Sequence, residues 1–242
     1  MSTFALDEIK RPLRLGELLT ATIRIYSSRG WTFVPLGVIQ AAVLVAVDYI
    51  DPDSVSAQFL IGMCLYGLAF TAAFALIARL VAGATLGAAA RAVLAAAPVL
   101  LALTVVVGMP FALGGARLIL LAFSAIWLGL TGFSIPVLMV ERAPDSSFLG
   151  RLSYCLRRTT TLARVEFWHA VGVVAALLVI YILLGIVVAI AVAGAADLDQ
   201  TWALAVAQVP LAPFFFIGLS VLYFDQRARA LETVAPPLQR AR

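Results

Sequence analysis

The sequence predicts an all-α, polytopic membrane protein with six transmembrane helices. Of its 242 residues, 63% are hydrophobic and only 12% are charged, which leaves too few polar side chains to cover a water-soluble globule. The apolar stretches are about 20 residues long, the length at which a helix crosses the hydrocarbon core of a bilayer. None shows the short alternating pattern of a membrane β-barrel, so helices must satisfy the backbone hydrogen bonds in lipid.

Windows of mostly apolar residues place these helices in a single membrane domain that covers residues 1–242. The outer loops between them are short, and nothing soluble is large enough to form a second domain. The predicted spans are residues 31–50, 58–81, 92–113, 118–140, 167–191 and 202–224.

Two segments outside the spans are amphipathic at helical spacing. Residues 13–28 place Leu15 and Leu18 on one face and Arg24 on the other, and residues 144–164 repeat the pattern. Both are expected to lie flat on the inner leaflet as interfacial helices.

A weaker version of this pattern covers residues 83–97, where Arg91 stands among small residues. With a third surface helix at residues 83–97, the chain would form three hairpins, each preceded by a surface helix. Pro144, at the start of the amphipathic segment 144–164, suits a first helical turn. Residues 232–242, which include two prolines, are predicted to form a disordered tail.

The basic residues predict the orientation. Sixteen of the 17 lysines and arginines lie on one side of the predicted spans, and the opposite side holds only Arg117 together with five aspartates. Cytoplasmic loops carry such an excess of basic residues, so both termini are predicted to be cytoplasmic. The net charge of +4 is explained by this rule and requires no nucleic-acid partner.

Residues 1–29 lack the apolar core of a secretory signal, so no removable targeting segment is expected. Cys64 lies in the second span and Cys155 in a cytoplasmic loop, and they are not expected to form a disulfide.

Three stretches resemble the membrane domain associated with bacterial glycerophosphodiester phosphodiesterases. They are LRLGELL at residues 13–19, VEFW at residues 165–168 and LYFDQRAR at residues 222–229. The resemblance implies a six-helix fold and, together with the alanine- and arginine-rich usage, a bacterial inner membrane. It does not imply phosphodiesterase activity, because in that family the reaction belongs to a separate soluble barrel, for which this chain has no room.

Glu166 and His169 are candidate functional residues because their i, i+3 spacing would place them on one helix face. Pairs of such motifs hold metals in carboxylate bundles. A metal site needs further ligands, and the chain has no other histidine. Hydrogen bonding at the membrane interface is the alternative that we expect, and no metal or cofactor is predicted.

The other charged candidates lie at the ends of the spans. Arg79 can extend its guanidinium to the interface, and Arg117 can pair with an outer aspartate or a lipid headgroup. Five further arginines are candidate contacts for anionic lipid, although the positive-inside rule alone would also place them there. These are Arg24, Arg29, Arg151, Arg157 and Arg158.

Pro136, Pro210 and Pro213 could interrupt the fourth and sixth spans and open a transport cavity. Close helix packing at small residues, such as Gly83 and Gly87, is the more ordinary use of such sequences.

No nucleophile with a histidine partner is recognisable, so no catalytic residue and no enzymatic activity are predicted. We therefore expect a non-enzymatic accessory or scaffold subunit of a membrane assembly. Its expected partners are anionic inner-leaflet lipids and a membrane protein or a second copy of the chain. The alternative is a transporter or flippase-like component for lipidic or amphipathic molecules.

Overall fold

A computed structural model describes residues 11–50, 55–112, 118–196 and 198–234. Every regular element in these ranges is a helix, which confirms the predicted all-α class. Within them, five helices are long and apolar enough to cross a membrane, or six if one bent pair forms a single span. The chain is therefore a multi-pass membrane protein.

The helices of these ranges are numbered α1 to α9 in chain order. They are α1 (Leu15–Asp48), α2 (Val55–Val81), α3 (Leu86–Ala95), α4 (Ala97–Ala112), α5 (Leu118–Thr131), α6 (Ser134–Val140), α7 (Phe148–Val165), α8 (Phe167–Ala196) and α9 (Gln200–Val234).

The central helix of the bundle is α9, which packs against α1, α2, α7 and α8. Its Phe216 ring stacks on Phe74 of α2, with ring centroids 5.4 Å apart, and meets Phe70 edge-on at 4.6 Å. Such aromatic pairs add about 0.5–1.5 kcal/mol each to the free energy of burying the rings.

The most apolar helix, α8, is also the least enclosed of the candidate spans. Only 28% of its apolar window is buried, against 67% for α9. Its outward face carries exposed side chains such as Leu183, Val187 and Ile190. A helix that is apolar all round suits a position between the bundle and lipid.

The helix α1 combines the predicted surface segment with the first predicted span. Arg29 has φ −134° and ψ 21°, so a kink separates the two parts. Its Nη1 donates a hydrogen bond of 3.1 Å to the carbonyl of Leu80 near the C-terminus of α2. A cation at this end of a helix also interacts favourably with the helix dipole.

The third predicted span is a bent pair of helices, whereas the fourth counts as one candidate span, Phe123–Val140, with a short interruption between α5 and α6. The helices α3 and α4 meet at an angle of 80°, and the break lies at Ala96, just before Pro98. A proline ring crowds the carbonyl four residues earlier, which prevents a straight helix here. In the same way, α5 ends at Thr131 and α6 begins at Ser134, so the interruption predicted at Pro136 lies a few residues before that proline.

The predicted interruptions at Pro210 and Pro213 are wrong, because α9 is continuous through both. Pro213 has no N–H to bond the carbonyl of Val209. That carbonyl faces Gly37 of α1, where an added Cβ would lie 2.0 Å from its oxygen. Gly37 therefore permits α1 and α9 to approach at this point.

The small residues that pack here are not those the sequence suggested. Ala41 and Ala205 continue the contact of α1 with α9. Gly83 instead terminates α2 with φ 91°, and a Cβ on Gly87 would meet nothing within 4 Å.

Two further boundaries differ from expectation. Pro144 precedes α7, whose N-cap is Ser147, with its hydroxyl accepting a bond from the Gly150 N–H. The helix α9 extends to Val234, so residues 232–234 are helical rather than part of a tail, and residues 235–242 lie outside the described ranges.

We predict that Gly37→Ala lowers the melting temperature of the protein in detergent. Its Cβ would overlap the backbone oxygen of Val209, and such overpacking costs about 1–3 kcal/mol. Gly30→Ala is the matched control, because a Cβ there meets nothing within 4 Å. Equal melting temperatures for the two variants would contradict the observed packing of α1 on α9.

Candidate functional site

Polar side chains of α1, α2, α7, α8 and α9 meet at one end of the bundle, together with Glu141 at the end of α6. This end, called the basic end below, contains the kink of α1, the C-termini of α2 and α6, and the junction of α7 with α8. It also contains the last third of α9. Two neighbouring groups of side chains are built there, one around Asp225 and one around Glu141.

The first group, the Asp225 cluster, consists of Leu13, Glu166, His169, Asp225 and Arg229. Asp225 has no exposed surface. Its Oδ1 accepts a 2.6 Å bond from the Leu13 N–H, and its Oδ2 accepts a 2.9 Å bond from Nε of Arg229. His169 Nε2 lies 3.2 Å from the same Oδ2.

Arg229 connects the remaining members of the Asp225 cluster. Its Nη1 donates to Oε2 of Glu166 at 2.5 Å, and its Nη2 donates to the carbonyl of Leu13 at 2.7 Å. Nη2 also lies 3.3 Å from Nε2 of His169. One guanidinium therefore joins the segment before α1, the start of α8 and the end of α9.

The second group, the Glu141 cluster, consists of Glu141, Tyr154, Arg158 and Tyr223. The Glu141 carboxylate accepts bonds of 2.8 Å from the hydroxyl of Tyr154 and 3.0 Å from that of Tyr223. Nε of Arg158 completes the set at 2.9 Å. These contacts hold α7 against the end of α6 and against α9.

The opposite end of the bundle is joined by neutral donors. Thr201 Oγ1 donates to Oδ2 of Asp48 at 2.8 Å, and Nε1 of Trp202 donates to the hydroxyl of Tyr49 at 3.4 Å. The start of α9 is thereby tied to the end of α1.

Glu166 and His169 do meet in one site, but not by the predicted geometry. Glu166 has φ −143° and ψ 72° and lies in the break between α7 and α8. The two residues therefore do not share a helix face, and the prediction that they do is wrong. Arg229 brings them together by contacting both side chains.

The predicted arginines divide into different environments. Arg29, Arg79 and Arg158 bond to the Leu80 carbonyl, the Met139 carbonyl and Glu141, respectively. Arg24 and Arg157 have exposed side chains, and Arg151 lines a cleft described below. Arg117 lies outside the described residues.

The sequence did not identify Arg229, Tyr154 or Tyr223 as site residues. The local signal for Arg229 is its i, i+4 spacing from Asp225, which is a common surface ion pair on helices. The partner backbone of Leu13 is separated from Asp225 by 212 residues.

The reactive groups at the basic end are held in structural contacts. Burial raises the pKa of the Cys155 thiol to about 11, so it is protonated at neutral pH. In the described part of the chain, no group of three or more His, Cys, Asp or Glu side chains is arranged to hold a metal ion.

Comparison with protein-family models, curated proteins and solved structures finds no match.

We predict that Arg229→Met destabilises the folded protein by about 3–5 kcal/mol, because it leaves the buried Asp225 carboxylate without its guanidinium. Arg227→Met on the same helix is the matched control, since Arg227 is outside the Asp225 cluster. The double variant Asp225→Asn/Arg229→Met should lose less stability than the sum of the losses measured for Asp225→Asn and Arg229→Met alone. Chemical or thermal unfolding in detergent measures these differences, and additive losses would show that the two residues are not coupled.

Proposed function

We propose that the chain is a non-enzymatic accessory or scaffold subunit of a membrane assembly in the bacterial inner membrane. The observation that carries this proposal is the use of the ionisable groups at the basic end. Asp225, Arg229, Glu166 and His169 contact one another and fix three separate segments of chain. A catalytic site would instead present at least one activated group toward a substrate.

The hydroxyl groups support the same proposal. Ser134 and Ser220, both buried, donate to backbone carbonyls of their own segments at 2.6 and 2.8 Å. Thr71 and Thr104 form a buried hydroxyl pair at 2.7 Å between α2 and α4. An interhelical bond such as that between Thr71 and Thr104 stabilises helix packing in lipid by about 0.6 kcal/mol.

The aromatic residues support a membrane position with both ends of the bundle at headgroup level, and the excess of basic residues favours the basic end as the cytoplasmic one. Trp31 and Trp168 are 92% and 77% exposed at the basic end, and Tyr49 is 71% exposed at the opposite end. Tryptophan and tyrosine rings concentrate at headgroup level. The stretch of α1 from Trp31 to Asp48 is about 27 Å long at 1.5 Å per residue, which matches the hydrocarbon thickness.

The outward face of α8 is the expected docking surface for a partner. Its exposed side chains form an apolar stripe near the opposite end of the bundle, which includes Leu183, Val187 and Ile190. In lipid, association depends on close packing of such faces rather than on hydrophobicity itself.

Membership of the membrane-domain family associated with glycerophosphodiester phosphodiesterases also remains a proposal. Its support is that residues of the three resembling stretches meet in the Asp225 cluster. Leu13, Glu166 and the Asp225–Arg229 pair each come from a different one of these stretches.

Transport of lipidic or amphipathic molecules is the second candidate function. The breaks at Ala96 and at Gly132–Phe133 favour it, because α4 contacts both α5 and α6, so the broken segments are neighbours. Discontinuous helices at neighbouring positions are typical of transporter sites.

The proposed topology predicts the position of reporter fusions. A reporter that is active only outside the cytoplasm should be active after Asp53 and Asp199 and inactive after Ser147 and at Arg242. A reporter that is active only in the cytoplasm should give the reverse pattern. The same reading at Asp53 and Ser147 would contradict the proposed orientation.

The scaffold proposal predicts a stoichiometric second protein when the full chain is extracted gently from its own membrane and measured by native mass spectrometry. Ile190→Trp on the α8 stripe should reduce that complex, whereas Leu94→Trp on α3 should not. Both side chains are highly exposed, at 69% and 74%. A lone chain or homo-oligomer that retains a defined lipid in every sample would contradict the scaffold proposal and favour transport.

A further inference from the structure

A cleft of about 250 Å³ lies at the basic end, between the end of α6 and the first half of α7. Val137 and Leu138 contribute apolar walls, and Tyr154 contributes an aromatic one. Arg142 and Arg151 line the same cleft from the connecting loop and from α7. The cleft is therefore a small, partly apolar space with two guanidinium groups at its surface.

These two arginines differ from the other arginines that build the basic end. Arg29, Arg158 and Arg229 are each bonded to a carbonyl or a carboxylate. Within the described ranges, the guanidinium groups of Arg142 and Arg151 have no hydrogen bond or ion pair. The cleft thus contains two cations whose donors are available to a ligand.

Two carboxylates also line the cleft, but their oxygens already have donors. Glu141 accepts from Tyr154, Tyr223 and Arg158. Asp145 accepts from the Ser147 N–H at 2.8 Å and from the Ser147 hydroxyl at 2.7 Å. Arg158 does not line the cleft, but its ion pair with Glu141 neutralises that carboxylate. Arg142 and Arg151 therefore face one remaining negative charge, that of Asp145, which leaves the cleft suited to an anion.

The surroundings of the cleft are those of a membrane surface. Phe148 and Leu149, at the start of α7, are 43% and 71% exposed. With α7 on the leaflet, as the amphipathic sequence of residues 144–164 predicts, these side chains enter the acyl boundary and the cleft opens among headgroups. This step rests on the proposed membrane position of the basic end.

We propose that this cleft binds a phosphate group, with Arg142 and Arg151 as its ligands. Guanidinium groups match the planar, multi-donor geometry that phosphate oxygens accept, and arginine is the side chain most often used for it. The headgroup of an anionic phospholipid and free inorganic phosphate are the two sources of this chemistry. The apolar walls of Val137 and Leu138 favour the lipid.

The test is a binding titration of the purified full chain in neutral detergent at physiological salt, which screens diffuse surface attraction. The probes are phosphatidylglycerol, phosphatidylcholine and inorganic phosphate, each used alone. The cleft variant is Arg142→Gln/Arg151→Gln. The matched control is Arg91→Gln/Arg164→Gln, which removes two exposed arginines, one on α3 and one on α7, that do not line the cleft.

The cleft variant should bind phosphatidylglycerol about tenfold more weakly than the native chain, which corresponds to the loss of about 1.4 kcal/mol. The control should remain within about twofold, since its arginines contribute only screened attraction. Inorganic phosphate that binds alone with the same dependence on Arg142 and Arg151 would identify free phosphate as the source. Phosphatidylcholine should bind more weakly than phosphatidylglycerol.

Equal weakening in both double variants would overturn the proposal, because it would show a diffuse basic surface. Binding that is unchanged in the cleft variant would overturn it as well. The melting temperature of each variant is measured first. Binding is compared between variants that melt at the temperature of the native chain, so that loss of fold is not mistaken for loss of the site. The reporter fusions and the native mass spectrometry that test the proposed topology and the scaffold proposal do not depend on Arg142 or Arg151. Failure of the scaffold proposal can therefore be distinguished from failure of the phosphate site.

Discussion

Burial of Asp225 imposes the constraint on which the arrangement of the helices depends. An ionised carboxylate with no exposed surface is costly in a bundle that faces lipid unless hydrogen bonds and an opposite charge compensate it. Arg229, one turn later on α9, supplies the charge at 2.9 Å. The N–H of Leu13 supplies a donor from the segment before α1, and the Leu13 carbonyl accepts from Arg229 in return. Because α9 is the central helix, these bonds position α1 and the start of α8 relative to the whole bundle.

The two halves of the bundle are held by different contacts. The main apolar core lies toward the basic end, where the rings of Phe74 and Phe216 stack. Toward the opposite end, contact between α1 and α9 depends on small residues, with Gly37 opposite the Val209 carbonyl and Ala41 near Ala205. A large core with buried ion pairs gives the basic end a fixed geometry, whereas small-residue packing depends on close approach of two backbones. The functional proposals accordingly concern the basic end and the exposed face of α8.

The sequence predicted the helical class and the approximate positions of the apolar helices, because a bilayer permits few alternatives. It predicted an interruption at Pro136, which the structure places a few residues earlier, between Thr131 and Ser134. It did not predict the break at Ala96, since a hydropathy window averages over the proline that follows it. It also could not predict that α9 continues through Pro210, because neighbouring helices can compensate for a missing bond. In the site, Glu166 and His169 were identified as candidates by their spacing. Their meeting through Arg229 could not be predicted, because it depends on tertiary packing between distant segments.

The most direct test of the Asp225 cluster is hydrogen exchange at the backbone amide of Leu13 in the purified, full-length protein. Leu13 precedes the first residue of α1, so its N–H has no helical partner, and its bond is the 2.6 Å contact with Asp225. Slow exchange at this amide, which becomes fast in Asp225→Ala, is expected if the buried carboxylate holds the segment in place. Exchange in the native chain at the rate of an unstructured peptide would contradict that role and, with it, the arrangement of the basic end.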